Sequence, residues 1–215
     1  MDLTTIITKA IHDTPSDVPR RYIGASSIGR PCERSIWYGF NGEMGEAVPA
    51  GLRTSFDIGK RLELLMLDYV EQAGIAVNRA PHRLHDLELP IFQGTPDAII
   101  TLLDDKPVVL EIKTAKSSSF NRFKNHGLIA WAETYYAQLQ AYMGMGGYER
   151  GVLLAINKDS SELHHEWVDF DEIFYQELKV KARRIAEATE APDKINRSPL
   201  YFVCRSCPFK VVCHS

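Results

Sequence analysis

Gly94-Thr95-Pro96-Asp97, Ala98-Ile99-Ile100-Thr101-Leu102-Leu103, then Pro107-Val108-Val109-Leu110-Glu111-Ile112-Lys113-Thr114 read as a turn and two strands with an acid before the first and an acid-x-Lys triplet in the second. In a strand, positions i and i+2 share a face, so Glu111 and Lys113 project together while Leu110 and Ile112 point the other way. The second run is otherwise apolar, and charges in such a strand are costly unless paired or bound to a metal. Asp104-Asp105-Lys106-Pro107 predicts a turn that folds the two runs into a hairpin. Asp97 then comes alongside Glu111, and two carboxylates and one ammonium converge at the end of a sheet. Carboxylate oxygens suit Mg²⁺ or Mn²⁺. An acid-x-Lys triplet alone is most often an ordinary ion pair on a half-exposed strand. The aspartate one hairpin upstream turns that reading toward a site only because other motifs agree.

Those motifs lie on both sides. Upstream, Gly59-Lys-Arg-Leu-Glu63 falls on a long predicted helix. Downstream, Gln138 and Tyr142 are i and i+4 on another and share a face, with Tyr135 on the same stripe. Cys32 stands near one end of the chain, and Cys204-x2-Cys207-x5-Cys213 closes the other. In this order they resemble the PD-(D/E)xK nuclease superfamily. The Gln-x-x-x-Tyr helix is similar to that of its RecB-like branch, and the cysteines resemble the iron–sulfur framework of CRISPR-associated and viral RecB-like exonucleases. The resemblance spans Cys32 to Cys213. It implies a restriction-endonuclease-like α/β core, with a mixed central sheet flanked by helices, and a metal-dependent DNA exonuclease activity. Its metal ligands would be Asp97, Glu111 and the Ile112 carbonyl. Glu63 would join them, standing where the RecB pattern has His and phage-type exonucleases have Glu. Lys113 would hold or activate the attacking water, Gln138 would orient the lysine or the water, and Tyr142 would lie near the DNA.

Thiolates are soft ligands, and four of them suit Zn²⁺ or an iron–sulfur cluster. Zinc ribbons usually present two Cys-x2-Cys knuckles, whereas here one cysteine stands far from the other three. Cys207-Pro208 is similar to the Cys-Pro ending of ferredoxin-type runs. The reading is therefore a [4Fe–4S] centre on Cys32, Cys204, Cys207 and Cys213, with Zn²⁺ as the alternative. The Cys32 region and residues 200–215 would together form a cluster subdomain of a single domain, 1–215.

At 215 residues, 45% hydrophobic and 25% charged, the chain has the make-up of a soluble globular domain. No apolar stretch reaches the ~20 residues of a spanning helix. The N-terminus lacks a basic leader and reads as an amphipathic helix with Leu3, Ile6, Ile7 and Ala10 on one side. A cytoplasmic setting follows (a host cytosol for a virus), where thiols stay reduced and argue for metal before disulfides. Net charge of −3 gives no global basic signature of nucleic-acid binding. The distribution says more: Ile112–Ala132 carries no acid but holds Lys113, Lys116, Arg122, Lys124 and His126. Lys116, Arg122 and Lys124 are read as DNA contacts, and Arg20, Arg21 and Arg30 lie in a second acid-free segment. Lys158 is a weaker candidate, and His164-His165 reads as exposed surface.

Predicted helices cover about 54–73, 132–145 and 171–189, and one more runs through Cys32 to Phe40 from a cap at Ser26 or Ser27. Predicted strands are Ile75–Ala80, His82–Leu89, Asp97–Leu103, Val108–Thr114 and Gly151–Asn157. A recombination, integrase or helicase protein is the expected partner beside DNA. Two other readings stay open: a nucleic-acid binding module whose nuclease site is unused, and a structural metal protein serving protein contacts.

Overall fold

The structure, a computed structural model, describes residues 2–13, 20–79, 81–102 and 106–215. Its elements in chain order are α1 (Leu3–His12), β1 (Ile23–Gly24), α2 (Ala25–Ile28), α3 (Glu33–Phe40), α4 (Ala50–Gln72), β2 (Ala76–Asn78), β3 (Leu84–His85), β4 (Phe92–Gly94), β5 (Ala98–Thr101), β6 (Pro107–Ala115), α5 (Ser117–Gly146), β7 (Arg150–Asn157), β8 (Leu163–Asp169), α6 (Glu172–Glu187), α7 (Phe202–Arg205) and α8 (Lys210–His214).

The longest strand is the apolar run Pro107–Ala115, and it is central. The main sheet has the order β2-β5-β6-β7-β8. β5 and β6 are antiparallel, β6 and β7 parallel, β7 and β8 antiparallel, so the sheet is mixed as expected. A parallel pair needs a long crossover, here α5, and a strand covered on both faces can be apolar throughout. On one face Met66 and Leu67 of α4 pack with Val108, Leu110 and Ile112. On the other, Leu139 and Met143 of α5 pack with Val109 and Leu153. No helix among the described residues is long and apolar enough to cross a membrane.

The structure departs from the sequence reading in several places. The strand expected over His82–Leu89 is only Leu84–His85, because the Asp86 carboxylate accepts the Glu88 and Leu89 N–H groups and turns the chain. Leu87, which completed the apparent alternation, is exposed. The strand expected over Ile75–Ala80 shortens to Ala76–Asn78, residue 80 lying outside the described residues. A second sheet, β1-β4-β3, was not expected, its strands being too short to show a period. The turn after β5 lies partly outside the described residues.

Helix α5 begins fifteen residues before the expected start, at Ser117, and its backbone leaves helical geometry at Gly127 (φ 79°, ψ 174°) and Ala132 (φ −159°, ψ 88°). The Ser-rich start and the glycine disguised its first segment as a loop. No continuous helix runs from Ser26 through Cys32: α2 stops at Ile28 and Cys32 is the residue before α3. A side chain at Gly29 would stand 2.8 Å from Thr134 and Ala137, so α2 ends in tight contact with α5.

Candidate active site and cysteine cavity

Ala98 pairs with Leu110 in the β5–β6 register, so one further step sets Asp97 opposite Glu111. The Asp97 carboxylate locks that step by accepting the Ile112 N–H at 2.7 Å. Glu111 is 1% exposed and Lys113 half-buried, and the Lys113 ammonium donates to Glu111 Oε1. Gln138 Nε2 donates to the same Oε1 at 2.7 Å and lies 2.8 Å from the Tyr142 hydroxyl. Glu111 Oε2 is buried without a hydrogen-bond partner. One oxygen of this carboxylate is thus saturated and the other is left over.

Glu63 reaches the group from α4. Gly59, one turn earlier, lies close over Thr114, where an added Cβ would meet the hydroxyl at 3.4 Å. That approach lets the Glu63 carboxylate share the electrostatic field of Asp97, Lys113 and Glu111. Burial pushes Glu111 up to about 7, with Lys113 opposing and Asp97 and Glu63 adding to the rise. Burial also raises Asp97, against Lys113 and the Ile112 N–H, and raises Glu63, with Asp97 adding. Lys113 stays an ammonium: burial works against the charge, but Glu111 and Asp97 hold its pKa above the usual lysine value. Three carboxyls that resist ionisation, around a buried oxygen without a partner, are a donor set short of positive charge. A hard cation fits it.

The structure thus brings Glu63, Asp97, Glu111, Lys113 and Gln138 together. It does not close them into a finished cage, since among the described residues no three His, Cys, Asp or Glu side chains are gathered as a ready metal site. Tyr142 is placed differently from the reading that put it near DNA. It is 3% exposed, and its ring fills the space over Gly94, where a Cβ would stand 2.5 Å from it. Its hydroxyl serves Gln138. Lys116 and Arg122 are exposed, while Lys124 is also exposed but pairs with Glu162 at 2.5 Å. Lys158 contacts Ser55 of α4 at 3.2 Å. The sequence reading gave Tyr135 no role beyond the helix stripe, yet its ring centroid lies 4.9 Å from the Lys113 ammonium.

The four cysteines line one cavity of about 410 Å³, and no disulfide joins them. Cys204 is buried and the others half-buried. Burial raises the Cys204 thiol, as do the neighbouring Cys32 and Cys213. Cys207 is likewise raised by burial and by the other three, against a Phe209 N–H. Arg30, Arg34, Lys194, Lys210 and His214 also line the cavity, and among the described residues no acidic one does. Several hydrogen bonds hold the tail to the N-terminal third, among them the Glu46 N–H donating to the Pro208 carbonyl at 2.6 Å. Arg34 donates to the Pro192 carbonyl at 2.8 Å and Trp37 Nε1 to that of Ala188 at 2.9 Å.

Residues 18–149 match the YqaJ-like viral recombinase domain. No curated protein matches the chain. Among solved structures the fold is similar to that of LHK-Exo in complex with dAMP, with a TM-score of 0.61 at 13% identity over 78% of this chain and 87% of that one. It is also similar to the alkaline exonuclease (LHK-Exo) from Laribacter hongkongensis, with a TM-score of 0.59 at 13% identity over 83% and 90%. A third likeness is to SSO0001, with a TM-score of 0.59 at 20% identity over 98% and 95%. At these identities the likenesses show a shared mixed α/β fold.

Proposed function

Because the chain belongs to the YqaJ-like viral recombinase family, we propose that it is a DNA exonuclease of phage recombination, dependent on Mg²⁺ or Mn²⁺. The observation that carries the reading is Glu111, buried at the sheet end with one oxygen held by Lys113 and Gln138 and the other without a partner. Asp97, Glu111, Glu63 and the Ile112 carbonyl would hold the cation. When bound, it supplies the Lewis acidity that activates water and neutralises charge developing on the phosphate. Lys113 contributes a fixed positive charge beside the attacked phosphodiester, and Gln138 fixes the Glu111 oxygen that aligns it. The part assigned to Lys113 is positioning and electrostatics, and without a cation Glu111 and Asp97 favour its ammonium form against burial. Exposed Lys116 and Arg122 start the path for the DNA backbone. The exonuclease names of two structural neighbours agree with this reading, and a recombination partner protein accords with the family.

The cysteine cavity is proposed to hold a [4Fe–4S] cluster in a structural role. Among the described residues no three thiols are gathered as a ready metal site; what supports the reading is that all four cysteines line one cavity together with Arg30, Arg34, Lys194 and Lys210, whose charge suits a thiolate-ligated cluster.

The test is end-labelled linear DNA with Mn²⁺ or with EDTA. Nucleotides should be released from ends only with Mn²⁺, and Asp97→Ala or Lys113→Ala should abolish release while DNA binding persists. Cleavage at the wild-type rate by Asp97→Ala overturns the site. Retention of binding with no cleavage by the wild type would favour a binding module. Anaerobically purified protein should be brown with about four iron per chain, whereas colourless protein with one zinc would replace the cluster by a Cys₄ zinc site.

A further inference from the structure

Lys113 is enclosed on two sides. One is the Glu111 carboxylate; the other is the face of Tyr135, whose ring centroid lies 4.9 Å from the ammonium. That ring is itself fixed. Trp131 packs edge-on against it at 5.2 Å and 67°, and the Trp131 indole stacks on Phe123 at 4.7 Å and 21°. The indole N–H donates to Ser119 Oγ at 2.7 Å. Phe123 is fully buried and is met edge-on by His164 of β8 at 4.7 Å. The two breaks in α5 belong to this arrangement. Gly127 opens the helix, the Glu166 carboxylate accepts the Leu128 N–H at 2.8 Å, and the non-helical Ala132 separates Trp131 from Tyr135. A row of rings therefore runs from the sheet edge to the ammonium.

A lysine ammonium on a four-carbon stem has many rotamers and a strong pull toward water. Glu111 alone does not fix it, because that oxygen is shared with Gln138. An aromatic face attracts the cation and denies water on that side.

We propose that Tyr135 is a positioning residue: its ring face holds the Lys113 ammonium against Glu111, so that the remaining N–H donors point at the phosphodiester. This rests on the nuclease reading for its catalytic consequence but not for its geometry. The ring, not the hydroxyl, does the holding.

The test compares Tyr135→Phe with Tyr135→Leu by two readouts. In Mn²⁺-dependent cleavage, Tyr135→Leu should lower kcat about tenfold with KM unchanged, and Tyr135→Phe should stay within about twofold of wild type. In competitive acetylation read by mass spectrometry, Lys113 of the Leu variant should label at least about threefold faster relative to Lys116 than in wild type, while the Phe variant should match wild type. A rise in KM at constant kcat would mean that the ring contacts DNA and would overturn the proposal. Unchanged Lys113 labelling in Tyr135→Leu would overturn it too, as would loss of kcat in the Phe variant. If the wild type does not cleave, the nuclease reading falls, and the labelling still decides whether Tyr135 holds Lys113. Should Tyr135→Leu fail to fold, Tyr135→Met takes its place in both readouts, and unchanged Lys113 labelling in that variant overturns the proposal.

Discussion

Glu111 is the residue on which the site turns, and its burial has a measurable sign. Its folded pKa of about 7 lies above the usual 4.5, so between those values the folded chain binds more protons than the unfolded one. Stability therefore falls as pH rises through this window when no cation is bound. Glu111→Gln should flatten that slope in EDTA melts, leave Tm at neutral pH equal or higher, and weaken Mn²⁺ binding by tenfold or more in calorimetric titration. A variant binding Mn²⁺ normally would remove Glu111 from the ligand set. Gly94 makes a second demand at this scale. Its missing Cβ leaves room for the Tyr142 ring on one side and Ala25 on the other, at 2.5 and 2.6 Å from where that atom would stand. Gly94→Ala should cost about 1–3 kcal/mol, lowering Tm by several degrees, and should slow cleavage by displacing the ring that supports Gln138. Unchanged melting would show that the pocket yields freely. That Glu111 and Lys113 share a face was legible from the strand period and the approach of Asp97 from the hairpin, whereas the approach of Gln138 followed only from the resemblance. The interior position of Tyr142 was not legible, since i+4 spacing gives the face and not what covers it.

Between elements, the turn after β3 is tied to α6 by charge. The Tyr175 hydroxyl donates to Asp86 at 2.6 Å, and the Lys179 ammonium lies 3.2 Å from Asp86 and 2.9 Å from Glu88. Burial alone would raise Asp86, but these bonds and the Leu89 N–H outweigh it and bring its pKa below 3.8. A carboxyl depressed in the fold adds stability above its unfolded value, and that stability is lost as pH falls through the folded one. Acid titration followed by circular dichroism should thus show part of the loss beginning near pH 4, and Asp86→Asn should be less stable at neutral pH with a flatter acid limb. An Asp86→Asn titration superposable on wild type would show that the tie adds no stability. The hairpin β5–β6 and strand β7 were readable because they are apolar runs bounded by turn residues, and the second part of α5 because it is an unbroken stretch of helix formers. The small sheet β1-β4-β3 was not, because two- and three-residue strands are set by partners distant in sequence. The first segment of α5 was missed for another reason: Ser117-Ser-Ser and Gly127 are poor helix formers, and the Asp159 carboxylate that accepts the Ser117 N–H lies on the far side of β7.

Over the whole molecule, the cavity wall is shared between the two ends of the chain, with Cys32 from one and Cys204, Cys207 and Cys213 from the other. Cys32→Ala should lower iron content as much as Cys207→Ala, and limited proteolysis should then trim the tail after about residue 188 while the β5–β6 core survives. Full iron in the Cys32 variant would place the fourth ligand elsewhere. The same division has a consequence in time. Cys32 leaves the ribosome with β1 and α2, and at roughly 5–20 residues per second the remaining three thiols follow on the order of ten to thirty seconds later. During that interval α4, the hairpin and α5 all emerge. If the cavity takes the proposed cluster, metal loading is the closing event of biogenesis, after the hairpin carrying the carboxylates has been made. A cell short of iron should accumulate chains with a formed hairpin and parted ends, so iron supply would set how many molecules mature, not how fast each one works.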